Sequence, residues 1–301
     1  MKRMSESWVV LGAPLDSSGA GRGEERAPEA LLAAGLADRL GARAEGDIVA
    51  PLRDPQRDTV SGVIAVEQLA VASTALRDTV AGALRRGERP LVVGGDCSVL
   101  PGALAGARLA VGDLALWMVD GHPDALDGET SGTGEAADMD LAIVLGRGAP
   151  SLTGLAGTAA LVAPEHVTLI GHRPATLDTD VAAELALVPP EVAQTTAPGL
   201  RARGASEIGR AVCAATNGKP AWLHLDLDAL DETELPAVTY RQPQGLRWNE
   251  LIDLVRPLLH APNLVGVSLA DYEPDLDPDG RYARRIVGAL AAAWPVRRED
   301  G

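Results

Sequence analysis

Short apolar runs recur along the chain, and each is followed by a segment with helical spacing. The runs are Trp8–Gly12, Leu91–Gly94, Leu114–Val119, His166–Gly171, Ala221–Leu227 and Leu264–Leu269. Most are continuous rather than alternating, as expected of strands buried on both faces of a parallel sheet. Between them lie Ala- and Leu-rich stretches, notably Pro28–Leu40, Val60–Arg85, Ala205–Asn217 and Trp248–Leu259. Pro28 suits the first turn of a helix. The alternation predicts an α/β fold: a three-layer α-β-α sandwich with helices on both sides of a mostly parallel sheet.

Three runs end in polar residues of one kind. Leu91–Gly95 leads into Asp96-Cys97-Ser98, Leu116–Val119 into Asp120-Gly121-His122-Pro123-Asp124, and Leu223–Leu225 into Asp226-Leu227-Asp228. Open α/β sheets bind ligands outside the carboxyl ends of their strands, so these acids converge on one edge. Carboxylates gathered without Lys or Arg repel one another, and a divalent cation resolves the conflict. In an extended segment Asp120, His122 and Asp124 share a face, as do Asp226 and Asp228. The ordinary alternative for Asp120–Asp124 is a polar loop with a helix cap. Asp231 is placed to cap a turn. His224 shares a face with Asp226 and either supports it or fills core space.

Composition narrows the classes. The 301 residues are 46% hydrophobic with no compositional break, so a single domain over 1–301 is expected. No long apolar run predicts a membrane span, and the N-terminus lacks the apolar stretch of a signal peptide. Cys97 and Cys213 are too few and too far apart for a disulfide framework, which points to a reducing cytoplasm. The net charge of −15 argues against nucleic acid as a partner. It suits solubility, or attraction of a cationic substrate.

The motifs, taken in order, resemble those of the ureohydrolases, the family of arginase, agmatinase, guanidinobutyrase and formimidoylglutamase. Leu11–Leu36 is similar to the family's opening strand, loop and helix. Gly94–Ser98 resembles its GGDHS, Val119–Asp124 its DAHxD, Leu225–Asp231 its SFDxDxxDP, and Ala270–Asp277 its ExNPxLD. The resemblance covers nearly the whole chain and implies an arginase-like sheet and two Mn²⁺ ions bridged by hydroxide. It implies that Asp120 and Asp226 bridge the ions, that His122 and Asp228 complete one, and that Asp124 and Cys97 lie by the other. The hydroxide would attack a guanidinium carbon, with Asp124 moving a proton to the leaving amine, giving urea or a related product.

Three departures bear on this. Cys97 stands where the family has His. A thiolate would favour Zn²⁺ or Fe²⁺, with Ni²⁺ also to be tried, over Mn²⁺; alternatively Cys97 is a small packed residue and the site holds one ion. Aligning Ala137–Ala142 on the family's HGMP-type segment puts Ala137 at a proton-shuttling His; Glu135 or Asp138 stands in for it, or both are ordinary loop acids. Asp271 matches the glutamate that meets the guanidinium, one methylene shorter, and Glu273 stands at the motif's Asn.

The candidate catalytic residues are therefore Asp124, Asp271 and Glu135. The candidate ligands are Cys97, Asp120, His122, Asp124, Asp226 and Asp228. The expected substrate is a small cationic guanidino or amidine compound. Arginine itself is not the favoured substrate, because Arg173–Asp180 does not clearly reproduce the family's RDVD-type pattern. The resemblance also implies a trimer or hexamer. Two rivals stay open: a catalytically inactive metal-binding homologue serving as a regulatory or assembly subunit, and an enzyme of altered metal and non-guanidine chemistry.

Overall fold

In a computed structural model, described over residues 7–295, eight parallel strands form one sheet in the order β2-β1-β3-β8-β7-β4-β5-β6. The strands are β1 (Trp8–Ala13), β2 (Arg43–Asp47), β3 (Arg89–Gly94), β4 (Ala115–Val119), β5 (Val167–Ile170), β6 (Ala193–Thr195), β7 (Ala221–Asp226) and β8 (Leu264–Ala270). Six of them coincide with the apolar runs. The sheet is parallel throughout, not just mostly so. The basic start of the chain, 1–6, lies outside the described residues.

Both faces of the central strands are buried, which is why their sequences do not alternate. Val10, Leu91, Val93, Trp117 and Val119 belong to one core. Their neighbours Val9, Leu11, Val92, Leu116 and Met118 belong to another on the opposite face. The first core is closed by helices α1 (Ala27–Ala33), α2 (Leu36–Leu40), α9 (Ala205–Ala215), α10 (Trp248–Leu259) and α11 (Arg281–Ala293). The second is closed by α3 (Val66–Arg86), α4 (Val99–Val111), α5 (Asp140–Val144) and α6 (Pro150–Thr153). Short helices α7 (Thr179–Leu185) and α8 (Ala197–Arg203) flank β6.

Local chemistry moves some boundaries. The segment 28–40 is two helices because Gly35 takes a left-handed conformation, φ 89°, which glycine adopts without a Cβ clash. The helix expected from Val60 starts at Val66, because Ala65 is left-handed at φ 50°. No described helix is long and apolar enough to cross a membrane. Since all strands run one way, the ends of β3, β4, β7 and β8, adjacent in the order β3-β8-β7-β4, meet at one edge.

Candidate metal centre

The residues that leave these four strands form a buried acidic cluster. Asp120, Asp124, Asp226, Asp228 and Asp271 are all 9% exposed or less. Cys97, Asp120, Asp124 and Asp226 each offer a ligand atom within 4.8 Å of the others, and so do Asp120, His122 and Asp228. The two groups share Asp120, and Asp226 and Asp228 are joined through backbone: the Asp228 amide donates to Asp226 Oδ1 at 2.6 Å.

Backbone hydrogen bonds aim the side chains. The His122 amide donates to Asp120 Oδ1 at 2.7 Å, which leaves Asp120 Oδ2 buried with no partner. The Gly121 amide donates to Asp228 Oδ1 at 3.1 Å, and Asp228 Oδ2 meets His122 Nδ1 at 2.7 Å. Asp124 and Asp271 occupy left-handed backbone at φ 47° and 61°. Such strain in non-glycine residues persists where surrounding structure imposes it, commonly at functional sites. The Asp124 carbonyl is fixed by the amides of Leu141 and Ala142, and the Asp271 amide by Gly95 O.

Cys97 sits in the middle of this set. Its Sγ lies 3.0 Å from Asp226 Oδ2, 3.1 Å from Asp271 Oδ2 and 3.1 Å from His224 Nε2. One S–H proton satisfies only one of these acceptors. The side chain thus faces the acids rather than the apolar core.

Without a cation the charges conflict. Burial, then the neighbouring carboxylates, push Asp120, Asp124 and Asp271 well above the usual carboxylate range. Burial and Asp228 raise Asp226 to about 7. Burial likewise raises the Cys97 thiol. Burial alone would lower His122, but Asp228 overcomes it and raises the imidazole to about 9. The same pair holds Asp228 below its ordinary value in spite of burial. A buried carboxylate oxygen without a partner is costly, so the orphaned Asp120 Oδ2 and the mutual repulsion fit divalent ions held among these side chains.

Other candidates fall elsewhere. Glu135 joins none of these groups; both its oxygens receive Arg22, at 3.0 and 2.6 Å, and Tyr240 OH is 3.3 Å away. Asp138 accepts from Ser131 and Thr133 within its own loop. Glu273 caps a short turn through the Asp275 amide. Arg173 is buried, and its guanidinium donates to the carbonyls of Asp228, Leu230, Gln242 and Pro243, so it braces loops. Asp231 does cap a turn, at Thr233. Cys213 packs beside α10, and both cysteines are free.

Two residues were missed by the motif reading. Asp140, at the start of α5, is fully buried and neither carboxylate oxygen has a hydrogen-bond partner. An acid between Met139 and Leu141, opening the apolar run 141–145, was the available signal. Glu24 is buried beside Asp16 and Asp96, and burial with Asp96 raises it to about 8.

A family model described as the arginase family matches residues 6–294. The chain belongs to the arginase family. Curated arginases are similar over almost their whole length: that of Bacillus caldovelox is 29% identical, covering 95% of this chain and 97% of its own. That of Brevibacillus brevis is 28% identical, covering 97% and 98%. The solved Bacillus caldovelox arginase superposes with a TM-score of 0.87 at 27% identity, covering 97% of this chain and 99% of that one. An agmatine ureohydrolase of Thermoplasma volcanium shares the fold at TM-score 0.67 and 20% identity, over 95% and 89% of the two chains. As a member of this family the chain is a hydrolase of amidino C–N bonds.

Proposed function

We propose that the chain hydrolyses a small cationic guanidino or other linear amidine compound, in the manner of an agmatinase or a guanidino-acid hydrolase, and releases urea or a related product. The observation that carries this reading is the convergence of Asp120, Asp124, Asp226, Asp228 and His122 at one strand edge with Asp271 beside them. Asp120 and Asp226 would be shared by two ions, His122 and Asp228 would complete one, and Asp124 and Cys97 would serve the other. Divalent ions held there supply a nucleophilic water at neutral pH and fixed positive charge.

The side chains do the rest. Asp271 offers a carboxylate to the guanidinium, and its strained backbone holds that carboxylate toward Cys97 and the acids. Asp124 takes the proton of the attacking water and delivers it to the departing amine as the carbon–nitrogen bond breaks. We assign this transfer to Asp124 rather than Glu135, because Arg22 occupies both Glu135 oxygens. Mn²⁺ is the expected ion by family, with Zn²⁺, Fe²⁺ or Ni²⁺ as contenders because of Cys97.

Metal content per chain, followed by urea release across a guanidino panel with each of these ions, tests the reading. Bound metal with turnover supports it. Bound metal without turnover on any amidine favours the rival, a metal-holding homologue that regulates or assembles. The retention of five motif ligands weighs against that rival, since lost catalysis removes the reason to keep such costly carboxylates together.

A further inference from the structure

A third group of possible ligand atoms shares only Cys97 with the set implied by the family motifs. Cys97, His224 and Asp140 are all buried, and their Sγ, Nε2 and carboxylate atoms lie within 4.8 Å of one another. Cys97 Sγ is 3.1 Å from His224 Nε2, which is 3.6 Å from Asp140 Oδ2. Donor atoms about 2.0–2.3 Å from a tetrahedral ion lie roughly 3.3–3.8 Å apart, close to these separations.

Three elements bring the atoms together: the loop after β3, the interior of β7 and the start of α5. The His224 ring is fixed from behind. Its Nδ1 is 2.7 Å from Ser268 Oγ, which also receives Trp222 Nε1 at 3.0 Å. With its proton on Nδ1, donated to Ser268, the ring turns the Nε2 lone pair toward Cys97 and Asp140, the arrangement of an imidazole ligand backed by a hydrogen-bond partner.

Asp140 points to a cation independently. It is 0% exposed, and neither of its oxygens has a hydrogen-bond partner. A nucleophilic thiol triad is a poor account of the geometry. In such a triad the carboxylate binds the ring nitrogen opposite the nucleophile; here thiol and carboxylate face the same nitrogen.

We propose that Cys97, His224 and Asp140 form a three-ligand position for a zinc-class divalent cation, with a fourth position open to water or substrate. One sulfur, one imidazole nitrogen and one carboxylate suit borderline-soft Zn²⁺ better than Mn²⁺. The position rests on the reading above only in taking this strand edge to bind divalent ions. Cys97 belongs to both this group and the all-aspartate one, so its thiolate draws its ion toward the nitrogen that His224 provides. The imidazole absent from the loop after β3 is thereby supplied from β7.

The full chain, stripped by chelator and reloaded with Co²⁺ or Zn²⁺ alone, decides the matter. Expected are a sulfur-to-cobalt charge-transfer band that disappears in Cys97→Ser, and an X-ray absorption shell of one Zn–S distance of about 2.3 Å with imidazole scattering that diminishes in His224→Ser. Asp140→Asn is expected to weaken Zn²⁺ binding at least roughly tenfold. Oxygen and nitrogen scatterers only, in the unaltered chain, would overturn the position, and that result needs no variant to fold. Urea release alongside such a spectrum would leave the proposed function standing; failure of the chain to take up any divalent ion would overturn both.

Discussion

Each acid in the strand-end cluster is costly by itself and useful only in company. Asp226 shows this most clearly: one oxygen takes the Asp228 amide and the other faces the Cys97 thiol. Asp226→Ala is expected to abolish Mn²⁺ uptake, read as manganese ions per chain after dialysis; retained Mn²⁺ binding would refute its bridging assignment. Cys97→His is expected to raise Mn²⁺ affinity, because the side chain at that position faces carboxylates rather than core. Titration calorimetry that finds Mn²⁺ affinity and stoichiometry unchanged would argue that Cys97 takes no part in binding. The motif residues were legible because they leave the ends of apolar strands at a spacing that sets them on one face. Asp140 and His224 were not assignable, because a lone acid or imidazole in an apolar run reads equally well as a helix start or as core.

Among elements, the six central strands announced themselves through continuous apolar runs, since each has both faces covered. The edge strands did not. β2 is exposed along most of its length and reads Arg-Ala-Glu-Gly-Asp, and β6 is three residues with two exposed. Hydrogen bonding to one neighbour, rather than side-chain burial, makes them strands. The loops beyond the strand ends are braced by Arg173, whose guanidinium satisfies carbonyls on both sides of the β7 loop. Arg173→Met leaves those buried acceptors unpaired, at a cost of about 3 kcal/mol or more. A denaturant midpoint within experimental error of the parent protein would show that the brace is dispensable.

For the whole molecule, an acidic chain with a buried acidic centre ties stability to pH and to cations. Burial raises Asp226 to about 7 and Glu24 to about 8, so the fold binds protons at these sites that the unfolded chain has already released. That stability is complete below the ordinary carboxylate range and is lost as pH rises through the raised values. His224, lowered by burial to about 3 from 6.5, acts in the opposite sense at lower pH. Above about 6.5 it is neutral in both states. Metal-free protein should therefore lose thermal stability between about pH 6.5 and 8. A melting temperature that holds or rises across that window in chelator would contradict this. Saturating divalent metal should offset the loss, by about 2.7 kcal/mol at a hundredfold excess over its Kd. The same melts with added metal measure that gain. Assembly into a trimer or hexamer is proposed from family resemblance and is checked by light scattering.

The linear order of apolar runs and acidic motifs was sufficient to determine the α/β class, the parallel sheet and most of the side chains that meet at the candidate metal centre. Those features depend on periodicity and on the rule that parallel strands present their carboxyl ends together. Only the tertiary structure decided what surrounds Cys97, because Asp140, His224 and Asp271 come from separate elements whose meeting depends on strand order. It likewise removed Glu135 from the centre, since a carboxylate's role follows its partner, and Arg22 is 113 positions away in sequence.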